Sequence, residues 1–485
     1  MSLYKSLLKR YRPEALTVSR RGLVGGALAS LAVGTDARAL MPAAGAPNGR
    51  RIVVVGAGFA GLSCAYELKK AGYDVQILEA RGRVGGRVLT HRTWIPGKVA
   101  EGGAELIGSN HKLWLHYAHQ FGLGMRPVSE SAEELRPIIV NGRRLPEKDI
   151  KALFEAVDAI YTGMVEAARP VNAETPWNTE NVAALDARSL LDFVRDHNPS
   201  ADTVSVITAH LGGDNGAPLE KQGLLGMLAM IKGGGLEKFW TETEVYRCRE
   251  GNDRLATELA RAFGSDRIHL NTPVANLRTM ANGVEVTDIT GRVWTAERVV
   301  MTAPPTTWPK IQFQPALPDG IAPQMGVNVK FLSRLRGDAW KPAGADAMTD
   351  GFISQTWEGT DNQKGPGVCM VSFSGGDQAR AAIAHYRTDG RKPHVDEMQS
   401  IYPRFGENFV DSRFMDWPND PWTMAGYSCP APGDITRVGP TLYNGIGRLT
   451  FAGEYSCYTF PGYMEGGLQS GVRAARQIAK SAVTA

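Results

Sequence analysis

The sequence predicts an α/β chain of two domains, a parallel sheet wound with helices and an α+β domain of mixed sheet plus helices. Length is the first observation behind this. At 485 residues the chain exceeds the roughly 250–300 that a single hydrophobic core serves. The second is the run Ile52-Val53-Val54-Val55, apolar without alternation, as in a parallel strand covered on both faces. The third is the succession after that run: Gly56-Ala57-Gly58-Phe59-Ala60-Gly61, a helical stretch from Leu62 to Lys70, and a second strand from Val75 to Leu78 that ends in Glu79. Strand, glycine turn, helix and strand make one winding of such a sheet.

In chain order, residues 1–39 read as an address rather than as structure. Ser19-Arg20-Arg21-Gly22-Leu23 leads into a short, weakly apolar Gly/Ala run, and Ala37-Arg38-Ala39 has the small-x-small form of a cleavage site. This is the order of a twin-arginine signal peptide, which predicts export of the folded protein to the periplasm by the twin-arginine machinery. Cleavage there removes seven basic and two acidic residues from totals of 54 and 50, leaving 47 against 48. The apparent basicity therefore belongs to the leader and argues against nucleic-acid binding. No stretch reaches the roughly 18 apolar residues of a membrane span, so no stable membrane insertion is expected. The five cysteines form no CxxC pair and no metal-ligand spacing, so no metal site is expected.

A linker at 40–49 precedes the first strand. In the glycine turn, Gly56 makes the tight bend, Gly58 lets the backbone approach a pyrophosphate, and Gly61 lets helix pack on strand. The helix N-terminus offers unpaired N–H groups and positive dipole to phosphate. Glu79 is placed to accept from a ribose diol. A second glycine pair between arginines, Arg81-Gly82-Arg83-Val84-Gly85-Gly86-Arg87, comes at once, where a nicotinamide enzyme proceeds into another crossover helix.

From Ile52 to Thr90 the chain resembles the flavin-containing amine oxidases, the family of monoamine oxidase, polyamine oxidase and the L-amino acid oxidases. Glu101-Gly102-Gly103-Ala104-Glu105-Leu106-Ile107-Gly108 is similar to the family's segment beside the flavin ring. Gly447-Arg448-Leu449-Thr450-Phe451-Ala452-Gly453-Glu454 and Pro461-Gly462-Tyr463-Met464-Glu465-Gly466-Gly467-Leu468 match its C-terminal strand, turn and final helix. The resemblance covers residues 50 to 480 and is weakest in the substrate domain.

The resemblance implies a Rossmann-like FAD-binding domain at 50–108, 248–309 and 434–482. A discontinuous, monoamine-oxidase-like substrate domain takes 109–247 and 310–433. FAD contacts are implied at Gly56, Gly58, Ala60, Gly61, Glu79, Ala80 and Arg81, then at Gly85, Gly86, Arg87, Gly103, Ala104 and Glu105. Further contacts are implied at Val274, whose backbone meets the adenine, and at Gly453, Glu454, Gly462, Tyr463 and Met464. Monoamine oxidases carry a flavin-bonded cysteine just before a cage tyrosine. Gly426 stands there in this chain, so noncovalent FAD is expected.

The implied chemistry is hydride transfer from the amine-bearing carbon to flavin, with the imine hydrolysed to aldehyde and ammonia and oxygen reduced to hydrogen peroxide. Such transfer needs a neutral amine, and an alkylamine has a pKa of roughly 10. Burial among aromatic rings lowers it. Tyr427 and Tyr463 match the two cage positions by resemblance. Lys330, in the alternating strand Gly326 to Phe331, matches the lysine that reaches flavin N5 through water and serves reoxidation. Where amino acid oxidases place a carboxylate-clamping arginine, this chain has Leu106. Glu105 beside it favours a cation, and the expected strand Glu242-Thr243-Glu244-Val245-Tyr246 puts Glu242 and Glu244 on one face. These features favour an amine, with a diamine or polyamine in view, over an α-amino acid. An L-amino acid oxidase, a dehydrogenase passing electrons to a periplasmic cytochrome, and a non-catalytic flavin-binding protein remain the alternatives.

Overall fold

The structure, a computed structural model, describes residues 3–14, 50–129, 136–341 and 344–483. Ile52, Val53 and Val54 are fully buried, as an unalternating apolar strand requires. Their strand, Arg51–Val55, is the middle of a five-stranded parallel sheet. Its neighbours are Asp74–Leu78 and Arg298–Met301, with Ile268–His269 and Leu449–Phe451 at the edges. Helices Phe59–Lys70, Asp253–Phe263 and Met464–Val483 supply Leu62, Leu68, Leu255, Leu259 and Leu468 to one face. The other face is covered by a four-stranded sheet containing Val274–Met280 and Gln312–Gln314, through Leu277, Val284 and Val286.

A seven-stranded mixed sheet forms the second layer system. Its strand Asn328–Leu335 pairs antiparallel on both sides, with Val368–Gly375 and with Phe409–Met415. That inner position removes the inward–outward alternation expected there, because both faces are covered, and Lys330 is buried. Helix Lys112–Phe121 packs Trp114 and Tyr117 into the nucleotide-side core rather than with the helices after it.

Two further expectations differ. The strand expected over 242–246 is the end of helix Glu237–Glu242, succeeded by a short strand Tyr246–Cys248. Glu242 therefore does not share a strand face with Glu244. Its carboxylate accepts from Ser109 instead. Residues 1–39, read as an address rather than as structure, include a packed helix, Leu3–Tyr11, in which Tyr4, Leu7 and Leu8 line one face and are buried. Arg20-Arg21 and Ala37-Arg38-Ala39 lie outside the described residues. Among the described residues no helix is long and apolar enough to cross a membrane.

Candidate active site

The glycine turn is built as close approach demands. Gly56 has φ +107°, and a Cβ on Gly61 would lie 2.0 Å from the Gly56 carbonyl oxygen. Gly58 has open space where its Cβ would be, so a ligand can approach its backbone. Glu79 accepts from the Ala57 N–H at 2.6 Å and the Arg81 N–H at 2.8 Å. Burial raises its pKa, opposed by those two N–H groups. The second glycine pair turns with φ +98° at Gly85 and +57° at Gly86, while Arg83 binds the carbonyls of Val84, Gly86 and Val88.

From this cradle one continuous cavity of about 340 Å³ runs into the second domain. Every site residue singled out from the sequence lines it except Glu242 and Gly61, the latter serving the helix–strand packing instead. Val274 and Ala80 lie with the cradle. Gly85, Gly86, Gly103, Ala104, Gly453, Gly462 and Met464 line the cavity as well. Leu106, Glu244, Lys330, Tyr427 and Tyr463 stand toward the second domain.

Glu454 ties the middle of the cavity together. Arg87 donates to one of its oxygens at 2.8 Å, while the Ser428 hydroxyl, at 2.5 Å, and the Gly462 N–H, at 2.8 Å, donate to the other. Arg87, far away in sequence, and the nearer Ser428 and Gly462 thus converge on one buried carboxylate. Arg81, implied as an FAD contact, turns its guanidinium to Asp420 and to Thr423, the latter at 2.8 Å.

Lys330 donates to the Gly103 carbonyl at 2.9 Å and to Glu105 at 2.7 Å. Arg247 and the Trp357 indole N–H donate to the other Glu105 oxygen at 2.8 and 2.9 Å, and Arg247 also pairs with Asp361. Burial opposes charge on Glu105, yet the Lys330 and Arg247 cations outweigh it and hold the carboxyl down at about 2. Glu105 therefore lines the cavity as a carboxylate already neutralised by two cations. The expectation that its charge attracts substrate is corrected accordingly.

Sequence reasoning missed Asp214. A single π-turn, Thr208–Gly212, interrupts the helix before it and brings Asp214 to the cavity. Gln355 donates to its carboxylate at 2.7 Å, and His210 approaches at 3.3 Å. The available signal was Gly212-Gly213 within an otherwise helical stretch. Burial pushes Asp214 up to about 6, and burial likewise raises Glu244. The Tyr427 hydroxyl donates to the Asp214 carbonyl, which fixes its ring, and enclosure raises the phenol pKa of both Tyr427 and Tyr463. The arginines among the described lining residues are Arg81 and Arg87, both on the nucleotide side. Among the described residues that line this cavity, Leu106 has no cationic substitute on its side beyond the Glu105-paired Lys330.

A side chain at position 426 has no room: its Cβ would lie 2.3 Å from Asn328 Oδ1. All five cysteines are buried free thiols, and burial pushes the cavity-lining Cys429 up to about 12. Among the described residues no cluster is suited to a metal ion.

A family model described as flavin containing amine oxidoreductase matches residues 59–479. A probable flavin-containing monoamine oxidase A of Dictyostelium discoideum is 24% identical over 471 residues, 88% of this chain and 97% of its own. A nicotine dehydrogenase of Pseudomonas putida is 26% identical over 447 residues, 88% of each chain. Among solved structures, cyclohexylamine oxidase from Brevibacterium oxydans aligns with a TM-score of 0.79 at 23% identity, covering 90% of this chain and 99% of that one. Putrescine oxidase bound to putrescine aligns at 0.78 and 21%, covering 90% and 100%.

Proposed function

The chain belongs to the flavin-containing amine oxidoreductases, and from that premise we propose that it oxidises a primary or secondary amine, with a diamine or polyamine favoured over an α-amino acid. FAD, which the family implies, is the acceptor of the substrate's hydride when bound. The residues present fit it: the open backbone at Gly58, the helix N-terminus after it and the Glu79 carboxylate suit the nucleotide half. Arg87 and the segments joined by Glu454 suit the remainder.

The observation that carries the substrate reading is the charge at the far end of the cavity. Asp214 and Glu244 line it, Leu106 offers no anion contact, and Lys330 is already paired with Glu105. A carboxylate there would meet acids with no bidentate partner. An amine cation meets attraction, and the rings of Tyr427 and Tyr463 flank the route inward. The paired Lys330 holds an ammonium at the Gly103 carbonyl, in the segment resembling the family's flavin-side loop, which supports its role in reoxidation.

The crowded position 426 and the protonated Cys429 thiol support noncovalent FAD. Acid precipitation is expected to release the flavin into the supernatant. The Arg20-Arg21 signature supports export to the periplasm. Oxygen is the proposed electron acceptor. The likeness to a nicotine dehydrogenase favours a second reading, a dehydrogenase, and stopped-flow reoxidation by air and by a c-type cytochrome separates the two. The substrate reading is tested by steady-state formation of aldehyde and ammonia from matched diamines, monoamines and α-amino acids. A higher kcat/KM for the amino acids would overturn it.

A further inference from the structure

The helix Leu3–Tyr11 is packed into the substrate domain, yet nothing in the proposed chemistry uses it. Its Tyr4 ring lies 4.9 Å from Tyr161 and 5.7 Å from Trp240, and the Tyr4 hydroxyl donates to Asp158 at 2.6 Å. Leu7 and Leu8 enter the same core as Phe154 and Val157. Arg10 and Tyr11 both donate to Glu147, at 2.7 and 2.9 Å, and Arg12 pairs with Asp158. A basic, amphipathic segment is thus seated on an apolar face edged with acids.

Its position matters more than its fit. Lys5 is only 7% exposed and lines a small cavity together with His210, Asp214, Glu244 and Tyr463. The last three also line the main cavity. A lysine side chain is itself a primary alkylamine, so the segment carries the chemical group for which these acids are suited. In sequence the helix precedes Arg20-Arg21 and the cleavage signal at Ala37-Arg38-Ala39, so cutting there would detach it from a domain that keeps its own sheet and helices.

We propose that the leader helix is an internal plug, seated beside Asp214, Glu244 and Tyr463 and holding the amine-receiving end of the cavity closed until the chain is cut. This rests on the amine reading above and on the expected cleavage after Ala39. Lys5 carries charge of the same sign as an amine substrate and faces a space lined by Asp214 and Glu244.

The test uses full-length holoprotein carrying a protease site after Ala39, compared before and after cutting and removal of the leader. The anaerobic rate of flavin bleaching by 1,4-diaminobutane is expected to rise about tenfold or more on cutting. Tyr4→Ala in the uncut chain is expected to recover part of that gain. A synthetic peptide of residues 1–14, added to the cut holoprotein, is expected to shift the flavin absorbance and slow bleaching again. Equal rates before and after cutting, with no spectral response to the peptide, would overturn the plug. So would loss of flavin on cutting, which would make the helix a structural part of the domain. A peptide that binds and shifts the spectrum of a protein no amine bleaches would keep the plug and remove the amine reading.

Discussion

The two ends of the cavity are made in opposite ways. The nucleotide end is backbone: glycines, a helix N-terminus and a carboxylate, Glu79, that neighbouring N–H groups already hold. The substrate end is side chains, Asp214, Glu244, Lys330, Tyr427 and Tyr463, brought from separate parts of the chain. The first is fixed by tight packing at Gly61 and positive φ at Gly56, and has one task. The second carries charge held away from its ordinary protonation, and this is where selectivity can be adjusted.

The largest effect that would break this contrast is at Gly61. With the Gly56 carbonyl oxygen 2.0 Å from where a Cβ would sit, Gly61→Val is expected to yield a chain purified without flavin, read from its visible absorbance. A flavin-replete variant would show that the turn tolerates bulk.

Next is the Lys330–Glu105 pair. Lys330→Met leaves a buried carboxylate facing Arg247 and Trp357 alone, and is expected to cost about 3 kcal/mol in denaturant unfolding. Adding Glu105→Gln should recover part of this loss, as coupled neighbours do. Because the folded protein depresses Glu105 from 4.5 to about 2, the stabilisation is full above 4.5 and is lost as pH falls through 2. The same Lys330→Met variant is expected to slow reoxidation by oxygen more than flavin reduction.

Tyr463→Ala is expected to lower kcat/KM on the order of 100-fold, the scale of a misplaced reactant, with little change in unfolding midpoint. Unchanged activity would remove the cage. The smallest effect concerns Asp214. A carboxyl pushed up to about 6 is charged only above that pH, so the KM for a diamine should fall as pH rises from about 5 to 7, relative to a matched monoamine. Asp214→Asn should erase that difference.

Legibility in the sequence divides along the same line. The nucleotide end is contiguous: Gly56 to Gly61 and Gly85 to Arg87 each carry their geometry in one short run, because φ and close approach are local properties. Lys330, Tyr427 and Tyr463 were legible only through resemblance. That Glu105 is neutralised was not legible, since Arg247 lies 142 residues away and no spacing pairs them. Asp214 escaped because a π-turn, not a motif, turns it inward. The expected strand over 242–246 failed because Glu242 closes helix Glu237–Glu242, which buried Phe239 and Trp240 anchor, and strand pairing begins only at Tyr246.

The proposed occupants, a flavin at the glycine-lined end and an amine at the acidic end, have a direct spectroscopic signature. Anaerobic titration of the cut, purified protein with a diamine is expected to bleach one FAD per chain at stoichiometric amine. A colourless protein that takes up no FAD, or a bound flavin that no amine in the panel reduces, would contradict the account.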